Sequence, residues 1–103
     1  MTIDFSQTIT PEQKAVAVAA ARAAALKTAC ANRIIAVLDE RTLLNIQGAV
    51  LAGALNRVEM RVFCAGQGWV ADMQAACRTA IATGNDPAWP CLPEGVAKLA
   101  ARF

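Results

Sequence analysis

Residues 10–40 read TPEQKAVAVAAARAAALKTACANRIIAVLDE, and this stretch decides the fold class. Thr10 supplies a capping oxygen, Pro11 suits the first helical position, Glu12 places an acid in the first turn, and Gln13 closes a capping box. The pattern predicts a helix over 11–40. At 100° per residue, Val16, Ala19, Ala23, Leu26, Cys30, Ile34 and Val37 share one face, and Lys14, Arg22, Asn32, Arg33, Asp39 and Glu40 lie opposite. Lys27 falls on the apolar side and must snorkel or meet an acid. Thirty helical residues measure about 45 Å, whereas a compact globule of this length is roughly 33 Å across. This helix must therefore bend near its middle or overhang the rest of the fold. The overhanging half is the alanine-rich one, whose small side chains admit a second helix. Self-association through this helix, or through the third one below, is expected.

The rest of the chain is consistent with a helical protein of one domain spanning 1–103. It is 56% hydrophobic, but 24 of those residues are alanine, which favours helix and adds little core volume. A second helix is predicted over 42–54, where Leu43, Leu44, Ile46, Val50, Leu51 and Leu55 form an arc wide enough for contacts on two sides. Asn56-Arg57-Val58-Glu59 is a second capping box, and it opens a third helix over 57–83 that ends before Gly84. Its apolar face holds Val58, Val62, Trp69, Val70, Met73, Cys77, Ala80 and Ile81. Gly66 lies within that face and reads as a place of close helix approach. After Gly84 the turn residues Asn85-Asp86-Pro87 lead into an extended Trp89-Pro90-Cys91-Leu92-Pro93 segment, because a residue before proline avoids the α region. A short helix over 94–102 closes the chain. At the other end, residues 2–9 alternate polar and apolar and read as an extended arm, with Phe5 as its plug. The fold class is thus all-α, with three antiparallel helices, a short fourth one, and extended segments at 2–9 and before the last helix.

Charge and chemistry narrow the function classes. The net charge of +2 is spread along the chain and forms no basic stripe, so no nucleic-acid partner is expected. No apolar stretch is long enough to span a membrane, and the N-terminus has no secretory pattern, so a cytoplasmic protein without a membrane partner is expected. With no histidine in the chain, the commonest general base and metal ligand is missing. Asp39, Glu40, Glu59 and Asp72 are not paired with other acids at helical spacing, and they read as capping or solvated carboxylates. The four cysteines, at 30, 64, 77 and 91, show no CxxC spacing. Cys64 and Cys77 on one helix are about 20 Å apart and cannot bond to each other. Cys91 reads as partly exposed and inert, since no base flanks it to activate the thiol. No catalytic, cofactor-binding or metal-binding residue is therefore assigned, and no cofactor is expected. Phe5, Trp89 and Pro90 are the candidate partner contacts. Trp89 also reads as an anchor for its own segment.

The order of Asp4-Phe5-Ser6-Gln7, an alanine-rich helix entered at Thr10-Pro11, a helical Gln67-Gly68-Trp69 and a terminal Asp86-Pro87-Ala88-Trp89-Pro90 resembles small tail-region accessory proteins of tailed bacteriophages and prophages. Tail fibre assembly proteins are the nearest group, many of which close with an acidic residue followed shortly by Trp-Pro. The resemblance implies a non-enzymatic protein acting through contacts with a tail or tail fibre protein, in the host cytoplasm or on the virion. Two other readings stay open. In one, Trp69, Met73 and Cys77 line a small-ligand or enzymatic pocket on the third helix. In the other, residues 43–81 form a helix-turn-helix regulator whose basic groups are Arg57, Arg61 and Arg78.

Overall fold

Two capping boxes and one aspartate cap set the helix starts. In the computed structural model, which describes residues 10–103, all the regular structure is helical: α1 (Pro11–Ile35), α2 (Glu40–Leu51), α3 (Arg57–Thr83) and α4 (Val96–Ala100). At the start of α1 the Gln13 N–H donates to Thr10 Oγ1, and Gln13 Oε1 accepts from the Thr10 N–H. At α3 the Glu59 N–H donates to Asn56 Oδ1 at 2.8 Å, and Glu59 Oε1 accepts from the Asn56 N–H at 2.9 Å. The arm expected over 2–9, with Phe5, lies outside the described residues.

Three of the four helices differ in extent from expectation. The helix expected over 11–40 stops at Ile35, because Asp39 is extended and caps the next helix, its carboxylate accepting the Thr42 N–H at 2.7 Å. Between them the Ala36 and Leu38 N–H groups donate to Asn32 and Ile34, closing α1 in a tight turn. The second helix, expected over 42–54, accordingly starts two residues early, at Glu40, and ends at Leu51 ahead of Gly53, whose φ of +70° no helix accommodates. The last helix, expected over 94–102, spans only Val96–Ala100, because the left-handed Gly95 at φ +88° cannot lie within it. Gly84, also left-handed, ends α3 and returns its N–H to the Ala80 carbonyl.

Packing concentrates between α1 and α3 and between α3 and α4, with α2 held against α4. Cys30, Trp69, Met73 and Cys77 form the buried centre, ringed by Leu26, Ile34, Val37, Val70, Ile81, Trp89 and Leu92. Arg22 on α1 reaches Ala80 and Asn85, while Leu38, beyond the end of α1, lies near Gly66. The two helices therefore pass each other in opposite directions. A Cβ on Gly66 would sit 3.3 Å from Val96 Cγ1, so the absence of a side chain brings α4 against α3. The Arg102–Glu59 ion pair ties the chain's end to the start of α3. The molecule is long for its size: its radius of gyration is 19.8 Å and its extents are 70 × 28 × 18 Å. A compact domain of this length would have a radius near 13 Å.

Candidate functional site

The packing of α1 changes along its length. Its second half presents Ala23, Leu26, Cys30 and Ile34 to α3, all at least half-buried. Its first half, residues 11–21, is exposed at every position. Within that half, Ala15 to Ala21 are seven consecutive apolar residues, flanked by Lys14 and Arg22. Val16 is 69% exposed and Val18 is 62% exposed, and the two point to nearly opposite sides of the helix. A helix that is apolar all round is normally buried on all sides. Here it stands free of the other described residues.

A second apolar stripe lies on α2. Leu44 and Leu51, seven residues apart and so on one face, are 61% and 89% exposed, while Ile46 on the opposite side is buried. The broad arc of leucines in the sequence was the signal for this outer face. Ile35 joins Leu44 beside Asp39, Glu40 and Arg41 in a shallow, open depression.

Of the candidate partner contacts, Trp89 and Pro90 lie among the described residues. Trp89 is half-buried, packs against the core and lies under the Arg33 guanidinium, 5.2 Å from its ring centre. The Pro90 carbonyl accepts the Trp69 indole N–H at 3.2 Å. This pair anchors the proline-rich segment to α1 and α3. Sequence reasoning foresaw the anchor at Trp89, but the Trp69–Pro90 hydrogen bond joins distant residues that no local pattern connects.

Trp69 and Met73, proposed for a pocket on the third helix, are 5% and 1% exposed and packed within the chain's own core. Cys77 is buried among them but also borders a groove between α1 and α3. A separate cavity of about 280 Å³ lies between α2, α3 and α4, walled by Leu38, Leu43, Ile46, Val62, Phe63 and Leu99. Its lining is apolar apart from Gln47, Gln67 and Gln74.

The charged candidates have local roles or face solvent. Hydrogen bonds from Thr42, chiefly its backbone N–H, hold the Asp39 carboxyl below its ordinary range. Glu59 caps α3 and pairs with Arg102. Asp72, Arg57, Arg61 and Arg78 are exposed on α3. Among the described residues no cluster of three or more His, Cys, Asp or Glu side chains could hold a metal ion. No described helix is long and apolar enough to cross a membrane. No protein family, curated protein or solved structure matches the chain.

Proposed function

We propose that this chain is a non-enzymatic structural or interaction protein that associates with itself through the first half of α1. The observation that carries this reading is the seven-residue apolar run Ala15–Ala21, exposed at every position. Burial of a valine removes about 1.5–3 kcal/mol of unfavourable hydration, so a stretch of this kind is stabilised in water when neighbouring helices cover it. The outer face of α2, with Leu44 and Leu51, offers a further contact surface on another element. Sedimentation analysis at tens of micromolar tests the reading. A dimer or larger species is expected, and a monomer at high micromolar concentration overturns it.

Within this class the more specific role is that of a phage or prophage tail accessory or assembly protein. Its support is the resemblance carried by Asp86-Pro87-Ala88-Trp89-Pro90. Tail fibre, baseplate or integrase genes beside this one are the expected observation, and their absence removes the tail assignment while leaving self-association standing. A second reading rests on the apolar cavity between α2, α3 and α4, whose size suits a small apolar ligand. An apolar fluorescent probe that binds there and raises the melting temperature would favour it. Lack of such binding would remove it.

A further inference from the structure

Cys30 on α1 and Cys77 on α3 lie far apart in the sequence and belong to one buried cluster. The opposed direction of the two helices brings them together. Arg22 meets the Ala80 carbonyl at one end of the contact, and Leu38 approaches Gly66 at the other, so Cys30 falls opposite the turn that carries Cys77. Neither cysteine is joined in a disulfide, and each is 5% exposed. Their outer edges border a groove of about 560 Å³ between the helices, with Lys27 and Arg78 also lining it. Cys64 and Cys91 are exposed and not part of this pair. We propose that Cys30 and Cys77 form a thiol–disulfide modification site, whose reaction partner is a low-molecular-weight disulfide and whose product is a crosslink stapling α1 to α3.

The chemistry closes without a further reactant. Cys77 Sγ, having lost its proton to solvent, attacks one sulfur of the small disulfide. The S–S bond of that molecule breaks, a mixed disulfide forms on Cys77, and the first leaving thiolate takes up a proton. Cys30 then loses its proton, and its Sγ attacks Cys77 Sγ, releasing the second small thiol. Two protein thiols are oxidised to one disulfide, and one small disulfide is reduced to two thiols. Burial, with the Cys77 thiol beside it, pushes the Cys30 thiol above its ordinary value, which disfavours Cys30 as the first attacker. The crosslink closes a long loop, the case in which chain-entropy arguments give the largest gain. It fixes the register of α1 against α3, the element α1 packs on most.

The test uses the full chain carrying Cys64→Ser and Cys91→Ser, both at exposed positions, so that only the pair can react. After incubation with glutathione disulfide, the expected product has lost two hydrogens and carries no adduct. Peptide mapping then finds Cys30 joined to Cys77. The melting temperature rises by about 10 °C or more, and dithiothreitol reverses the rise. Adding Cys30→Ser should leave glutathione trapped on Cys77. The proposal is overturned if, without that third change, both thiols stay free or a glutathione adduct persists on either. The mass measurement needs no core substitution, so it decides the matter even if the Cys30→Ser protein fails to fold.

Discussion

Arg22 marks the point where α1 leaves the shelter of α3. Its guanidinium donates to the Ala80 carbonyl at 3.0 Å and to the Asn85 carbonyl at 2.6 Å, engaging the last turn of α3 and the turn beyond it. Hydrogen bonds from a charged donor contribute about 1.5–3 kcal/mol when sheltered, and the half-exposed position of Arg22 puts it at the low end. Arg22→Ala should lower the melting temperature by roughly 4–8 °C, and Arg22→Lys, which lacks the two-pronged donor, should recover only part of that. Thermal unfolding followed by circular dichroism measures both, and a change within a degree for the alanine variant would show that the clamp does not hold the helices. Gly66 is the opposite kind of residue, important for what it lacks. Gly66→Leu forces Val96 away and should cost about 1–3 kcal/mol by overpacking. Faster proteolysis of the segment after Pro93 would report the loosened α4, and an unchanged digestion rate would mean that α4 has another anchor. The role of Gly66 was legible because it interrupts an apolar face. That of Arg22 was not, because its position on the polar side of α1 says nothing of a partner at Asn85.

At the scale of elements, local chemistry was legible and tertiary choices were not. The boxes at Thr10 and Asn56 are complete within four residues each, so their helices start where those residues stand. The break after Ile35 was hidden because Val37 continues the apolar period of α1, and Asp39-Glu40 resembles the polar end of a long helix. What separates the alternatives is the side-chain oxygen of Asp39, which accepts the Thr42 N–H and so begins α2. Gly95 was similarly silent: a glycine two residues after a proline fits a turn or a helix start equally well, and its left-handed backbone, with Val62 where a side chain would project, comes from the tertiary packing. The Asp39 cap carries a pH signature. Its folded-state pKa lies below the ordinary value of 3.8, so its stabilisation is present above that value and is lost as pH falls through the lower folded one. Asp39→Ala should therefore lower the melting temperature by a few degrees at neutral pH, and its difference from the unaltered chain should shrink below about pH 4. Asp39→Asn, which keeps a capping oxygen without the charge, should retain most of the stability with a flatter pH dependence. A gap between the alanine variant and the parent that stays constant down to pH 3 would show that the carboxylate charge is not what α2 uses.

For the whole molecule, the surplus of helix over core becomes a question of stoichiometry. The alanine content signalled that surplus in the sequence, because alanine extends a helix without filling a core. The radius of gyration of 19.8 Å gives it physical form. A single partner helix covers one side of α1, yet Val16 and Val18 lie about 160° apart around it, from their spacing of two residues. Covering both requires at least two neighbouring helices, which three or four copies of the chain supply and two lying side by side do not. The expected species is therefore a trimer or tetramer. Neither valine touches the packed half of the fold, so Val16→Glu and Val18→Glu should leave the helical signal intact while each charge disfavours the interface it faces. In a trimer or tetramer both single variants should dissociate the assembly to a comparable degree in sedimentation equilibrium. In a dimer only one of them should, because the other valine would face water before and after association. Equal and strong dissociation by both variants supports a bundle with α1 at its centre. Dissociation by one alone reduces the assembly to a pair of helices and leaves the second side of α1 open to a different protein.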